Sequence, residues 1–136
     1  MKMIVFGASG GTGREVVGQA LERGHHVTAF VRHPAKLNFS HDRLNVTRGD
    51  ILDVSSVNAA MSGHEAVLVA IGHRRYLGPS NILSQGTQHI VDAMKQHGVR
   101  RIVCETALGV GDSTGRLGVY YTFFVIPFIL PFYWYD

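Results

Sequence analysis

The stretch Met3-Ile4-Val5-Phe6-Gly7-Ala8-Ser9-Gly10-Gly11-Thr12-Gly13-Arg14-Glu15-Val16-Val17 decides the fold. An apolar run ends in a glycine-rich turn, and a helix-like pattern follows it. Glycines at 7, 10 and 13 make G-x-x-G-x-x-G, a variant of the dinucleotide fingerprint. Gly7 allows the strand to turn sharply. Gly10, having no Cβ, lets a pyrophosphate approach the backbone. Gly13 lets the helix pack close to the strand. The unpaired N–H groups of the helix's first turn, with the helix dipole behind them, suit phosphate oxygens. A P-loop is excluded, because Arg14 stands where that motif needs lysine after its last glycine.

Working outward, the pattern repeats strand and helix. Lys2 to Phe6 reads as the first strand and Gly11 to Arg23 as a helix, with Val16, Val17, Ala20 and Leu21 near one face. Gly24 stops it as a C-cap glycine. His26 to Val31 is the second strand and Leu44 to Arg48 a short third. A short helix ends at Met61, with Ser55 or Asp53 as its cap. Ala66 to Ile71 is an unbroken apolar run, as in a strand buried on both faces. Gly72 to Ser80 reads as a polar loop. Asn81 to His97 is the longest helix, striped by Ile82, Leu83, Ile90, Val91 and Met94. Arg101 to Cys104 is the fifth strand. Alternation of this kind predicts an α/β, Rossmann-like, doubly wound parallel sheet in the order 3-2-1-4-5.

The 136 residues suit a single domain, with a Rossmann core over 1–110 and a divergent aromatic segment over 111–136. One cysteine excludes an internal disulfide and fits a reducing, cytoplasmic setting. A net charge of +3, with arginines scattered at 32, 74–75 and 100–101, suits an anionic small molecule. No basic helix or aromatic platform points to nucleic acid. Val119 to Tyr135 is nearly all apolar, but it falls short of the roughly 20 residues of a membrane span and holds two prolines. It is expected to pack on something else, self-association through 119–135 included. The sheet is expected to be truncated at its C-terminal side, since the chain stops at Asp136 just after this run.

Arg32 ends the second strand, with Lys36 about a helical turn on and no acidic residue beside it. At that position an acidic residue meets a free ribose 2′-hydroxyl, and an arginine meets a 2′-phosphate. This favours NADP(H) over NAD(H), unless Arg32 is simply a solvated strand end. Asp50 and Ile51 follow the third strand at the expected adenine site; Asp50 serves equally well as a turn residue or helix cap. Ala70, Ile71 and Gly72 close the fourth strand where backbone can pass under the ribose. Thr106, just past the fifth strand, sits on the ligand-binding edge and is the candidate catalytic group. The eight histidines show no metal spacing and read as surface or loop residues; Cys104 reads as inert core.

Together Gly7-Ala8-Ser9-Gly10-Gly11-Thr12-Gly13, Val31-Arg32, Gly49-Asp50-Ile51-Leu52 and Ile90 to Val99 resemble the atypical short-chain dehydrogenases/reductases with NAD(P)H-binding domains. The likeness covers roughly residues 3 to 110 and leans towards the biliverdin-IXβ reductase (flavin reductase) branch. It implies that Gly7, Ser9, Gly10, Gly11, Thr12 and Gly13 hold the pyrophosphate and Arg32 the 2′-phosphate. It further implies Asp50 and Ile51 at the adenine, Ala70 and Gly72 along the ribose, and Thr106 near the nicotinamide. Two departures stand out. Tyr120 and Tyr121 are followed by Phe124 and Val125 where the classical Tyr-x-x-x-Lys pair has lysine, which disfavours alcohol oxidation. From Leu117 onward the chain also diverges. The implied activity is NADPH-dependent hydride transfer to a planar small-molecule acceptor such as a flavin, tetrapyrrole or quinone. Loss of the pair fits equally a non-catalytic NADP-sensing regulator of the nitrogen-metabolite-repressor-like type, and it argues against an epimerase or dehydratase relative.

Overall fold

A computed structural model describes residues 1–37, 40–72 and 82–105. Strand β1 (Lys2–Phe6) leads into helix α1 (Gly11–Glu22) and back to β2 (His26–Val31). A single 3₁₀ turn (Pro34–Lys36) precedes β3 (Leu44–Arg48). Helix α2 (Val54–Met61), β4 (Ala66–Val69), α3 (Ile82–His97) and β5 (Ile102–Cys104) follow in that order among the described residues. All four strand pairings are parallel, and the sheet runs β3-β2-β1-β4-β5, as predicted.

Register follows from the two-residue period of the strands. Met3, Val5, Val27, Ala29 and Val31 turn to one face and pack on Val17, Ala20 and Leu21 of α1. Ile4, Phe6, Phe30, Val67 and Val69 turn to the other, against Val57 and Met61 of α2 and Ile90, Ala93 and Met94 of α3. Both faces are covered, so the inner strands are mostly apolar. The Phe6 and Phe30 rings meet 4.9 Å apart at a 50° tilt in the centre of the second layer.

Polar ties fix the layers. Asp53 caps α2 by accepting from the Ser55 amide at 3.0 Å, which settles the choice between the two predicted caps. His64 places Nδ1 3.3 Å from the Met61 carbonyl and Nε2 2.8 Å from the Thr28 hydroxyl. A carbonyl can only accept, so Nδ1 carries the proton and Nε2 accepts from Thr28, the buried polar side chain of β2. His97 reaches Asn58 at 2.8 Å, tying α3 to α2. Two of the histidines read as plain surface residues, His64 and His89, are thus half-buried structural links.

Three boundaries differ from the prediction. α1 ends at Glu22, with Arg23 as its C-cap. β4 stops at Val69, and β5 begins at Ile102. The expectation that Cys104 is inert core is wrong. Among the described residues β5 is the outermost strand on its side of the sheet, Val103 is 68% exposed, and Cys104 is exposed too. An apolar strand pattern does not by itself tell a central strand from an outermost one. The predicted loop at 73–80 and the aromatic run 119–135 lie outside the described residues, as does Asn81 at the expected start of α3. No helix among the described residues is long and apolar enough to cross a membrane.

Candidate functional site

The chain reverses its winding between β1 and β4. From β1 it steps outward to β2 and β3; it then returns to β4 and β5 on the other side. Helices leaving neighbouring strands in opposite directions open a crevice at the carboxyl edge, where such sheets bind ligands. The glycine turn lies in that crevice.

Gly7 adopts φ +82°, a left-handed conformation that any Cβ would strain. A Cβ there would also collide with the Ala70 carbonyl oxygen and stand 2.6 Å from its carbon. The end of β4 therefore lies directly against the turn, and the Ala70 amide donates to the Phe6 carbonyl at 2.9 Å. Gly13 permits a second close approach: a Cβ would strike the Gly7 carbonyl oxygen and lie 2.9 Å from the Ala8 Cα. Both expected roles, sharp turn and close helix packing, are met. Gly10 donates its amide to the Gly7 carbonyl at 2.9 Å, and its own carbonyl accepts from the Arg14 amide at 3.0 Å. It N-caps α1 with no side-chain cap bond, and the first turn of α1 holds no acidic residue. Its early amides therefore face the crevice edge as donors. Gly11 and Thr12 are exposed, and Ser9 is partly so.

Along the β2 side, Arg32 is exposed just beyond the strand. Arg14 of α1 donates to the Lys36 carbonyl at 2.6 Å and so fastens the 3₁₀ turn to the helix that opens the site. On the β3 side, the Asp50 carboxylate accepts from the Leu52 amide at 3.0 Å, which establishes its turn role. Ile51 is half-buried: its side chain packs on α3 at Gly86, where a Cβ would lie 2.6 Å from the Ile51 Cδ1. Its carbonyl accepts from His89 Nδ1 at 2.9 Å. Gly49 lets this loop cross over the Phe30 ring. Ala70 is buried and Gly72 exposed with open space around it. Thr106, Arg74 and Arg75 lie outside the described residues.

Sequence reasoning missed Glu105. Its amide donates to the Val69 carbonyl at 2.9 Å, and its carboxylate accepts from the Thr12 hydroxyl at 3.3 Å. Nothing in the one-dimensional pattern pairs residues so far apart. It also missed Gly86 and His89 as supports of the Ile51 loop; an interior glycine in an otherwise good helix was the available signal. A second cleft, lined by Lys2, His26, Thr28, Asn45 and His64, lies at the amino-terminal edge of the sheet. That is the wrong edge for a dinucleotide, because the helix N-termini are at the other. No group of His, Cys, Asp or Glu among the described residues could hold a metal ion.

Such a turn, at the switch point of a sheet wound this way, defines a Rossmann-type domain for a nicotinamide dinucleotide. The chain belongs to the NAD(P)H-binding family, which matches it over residues 7–129. It is 35% identical over 116 residues to cinnamoyl-CoA reductase 1 from Oryza sativa, covering 77% of this chain and 34% of that one. Among solved structures it is similar to ChuY, an anaerobillin reductase from Escherichia coli O157:H7, with a TM-score of 0.69 and 26% identity. That match covers 87% of this chain and 56% of the other. It is also similar to a short-chain dehydrogenase/reductase superfamily protein from Agrobacterium tumefaciens with bound NAD. There the TM-score is 0.68 and the identity 26%, over 81% of this chain and 34% of that one. The chain thus spans about a third of the length of the rice reductase. The resemblance to atypical short-chain dehydrogenases/reductases is borne out.

Proposed function

We propose that this chain forms the cofactor-binding part of an NADPH-dependent reductase that passes hydride to a planar acceptor such as a flavin, tetrapyrrole or quinone. The observation that carries the reading is the pairing of an uncapped α1 N-terminus at the switch point with an exposed Arg32 at the end of β2. The amides of Gly11, Thr12 and Gly13 hold the pyrophosphate, with Gly7 and Gly10 giving it room and Ser9 lining the turn. Arg32, with Lys36, pairs the 2′-phosphate through its planar fork. Ile51 and Asp50 bound the adenine, and Ala70 and Gly72 pass beneath the ribose. NADPH supplies the hydride. Thr106 is the candidate group for the nicotinamide, and Arg74 or Arg75 the candidates to balance negative charge on the acceptor. The proton comes from solvent, so the chain contributes positioning rather than an acid–base pair.

Thermal melts of the chain with NADPH and NADH test this. Ligand at a hundred times its dissociation constant should stabilise by about 2.7 kcal/mol. A clear rise with NADPH, a smaller one with NADH, and loss of the difference in Arg32→Ala are expected. No shift with either ligand, from a chain that melts cooperatively, would remove the reading. The lack of lysine at positions 124 and 125, four beyond Tyr120 and Tyr121, fits equally a second reading, a regulator that binds NADP without chemistry. Steady NADPH oxidation with a flavin or quinone selects the reductase; binding without turnover selects the sensor.

A further inference from the structure

We propose that Glu105 is an affinity-setting residue whose carboxylate occupies the phosphate side of the crevice and competes with the dinucleotide's pyrophosphate. This rests on the dinucleotide site described above and adds a residue that the glycine motif does not contain.

Glu105 is carried by the end of the sheet, not by a loose chain: its amide is held to Val69 of β4 at 2.9 Å. From there its side chain crosses the mouth of the switch point and accepts from the Thr12 hydroxyl at 3.3 Å. Thr12 lies in the first turn of α1, the positive end of the helix dipole. That turn has no side-chain cap and no acidic residue of its own. Glu105 therefore supplies from just past β5, 93 positions from Thr12 in sequence, the negative charge that the α1 N-terminus lacks locally. A pyrophosphate settling on the same amides brings like charge towards this carboxylate and competes for the same hydroxyl donor. Entry of the dinucleotide requires Glu105 to swing away, and its exposed side chain is free to do so.

The consequence runs opposite to that for an ordinary binding residue: removing the Glu105 charge tightens the complex. Glu105→Gln keeps an oxygen that can accept from Thr12 and removes only the charge, whereas Glu105→Ala removes both. Titration calorimetry of the 136-residue chain and both variants with NADP+ should show affinity rising about 1.5- to 5-fold in each. The range is that of one exposed charge pair. The gain in Glu105→Gln should shrink with added salt. Adenosine 2′-monophosphate, which lacks the pyrophosphate, should bind all three proteins alike. Unchanged or weaker NADP+ binding by Glu105→Gln overturns the proposal while leaving the dinucleotide site standing, and so does an equal gain for adenosine 2′-monophosphate. Flat NADP+ titrations in all three proteins, each melting cooperatively, would instead remove the site itself and this inference with it.

Discussion

Replacing Gly13 by alanine should loosen α1 from the sheet, and Gly18 in the same helix provides the control. Alanine is the better helix former at any interior position, by up to about 1 kcal/mol over glycine. At Gly18 a Cβ meets nothing within 4 Å, so Gly18→Ala should show that gain alone, about 0.5–1 kcal/mol. At Gly13 the added Cβ lands on the Gly7 carbonyl, 2.8 Å from its carbon and 2.9 Å from the Ala8 Cα. All three are backbone atoms of the turn and cannot rotate aside. Relief requires α1 to withdraw on the order of 1 Å from a close-packed interface. Overpacking of this kind costs about 1–3 kcal/mol. Set against the propensity gain, Gly13→Ala should destabilise by roughly 0.5–2 kcal/mol. Urea unfolding followed by circular dichroism reads both variants against the parent. In the same samples Gly13→Ala should weaken NADPH binding, because the moved helix carries the amides of the site; Gly18→Ala should leave it intact. A Gly13→Ala protein as stable as the parent, with undiminished binding, would refute the close-approach argument.

Three further outcomes are expected. Thr28→Val keeps the volume but leaves His64 Nε2 without its donor, and should cost about 1 kcal/mol in the same urea assay. The Asp53 carboxyl is held below its ordinary value of 3.8 by the Ser55 hydroxyl and then by the Ser56 and Ser55 amides. A lowered folded-state value stabilises the fold fully above 3.8 and loses that contribution as pH falls through the lower value; Asp53→Asn should therefore flatten stability against pH in the acid range, read by melts from pH 2 to 6. The Cys104 thiol is exposed, yet partial desolvation and then the neighbouring Glu105 carboxylate raise it above the usual 9.0. Iodoacetamide should label it slowly at neutral pH and faster only above pH 9, and fast neutral labelling would contradict this.

Much of the fold was legible because its signals are local. The unbroken apolar run Ala66 to Ile71 reads as a doubly covered strand, and its Ala66–Val69 part is one, pairing with β1 and β5. The stripe on α1 read correctly because Val17, Ala20 and Leu21 recur at the helical period and are buried. The candidate site was legible where glycine spacing imposes backbone geometry, as at Gly7 and Gly13. It was not legible where a residue's role depends on its neighbours. That Asp50 braces its own turn shows only in the structure, where its carboxylate accepts from the Leu52 amide. The exposure of Cys104 is not readable from sequence, because an outermost strand and a central one can share the same apolar pattern.

The sequence by itself determined the parallel α/β order and the position of the glycine turn. Strand period, helix period and the conformational freedom of glycine all act over a few residues, and every one of them is written in consecutive letters. Only the tertiary structure decided which distant groups meet. His64 closes onto Thr28, His89 holds the Ile51 carbonyl, and Glu105 reaches Thr12 across the switch point. Those contacts exist because parallel pairing brings the carboxyl ends of β1, β4 and β5 to one edge and stacks α2 and α3 on one face, and no local pattern in the chain encodes those distances.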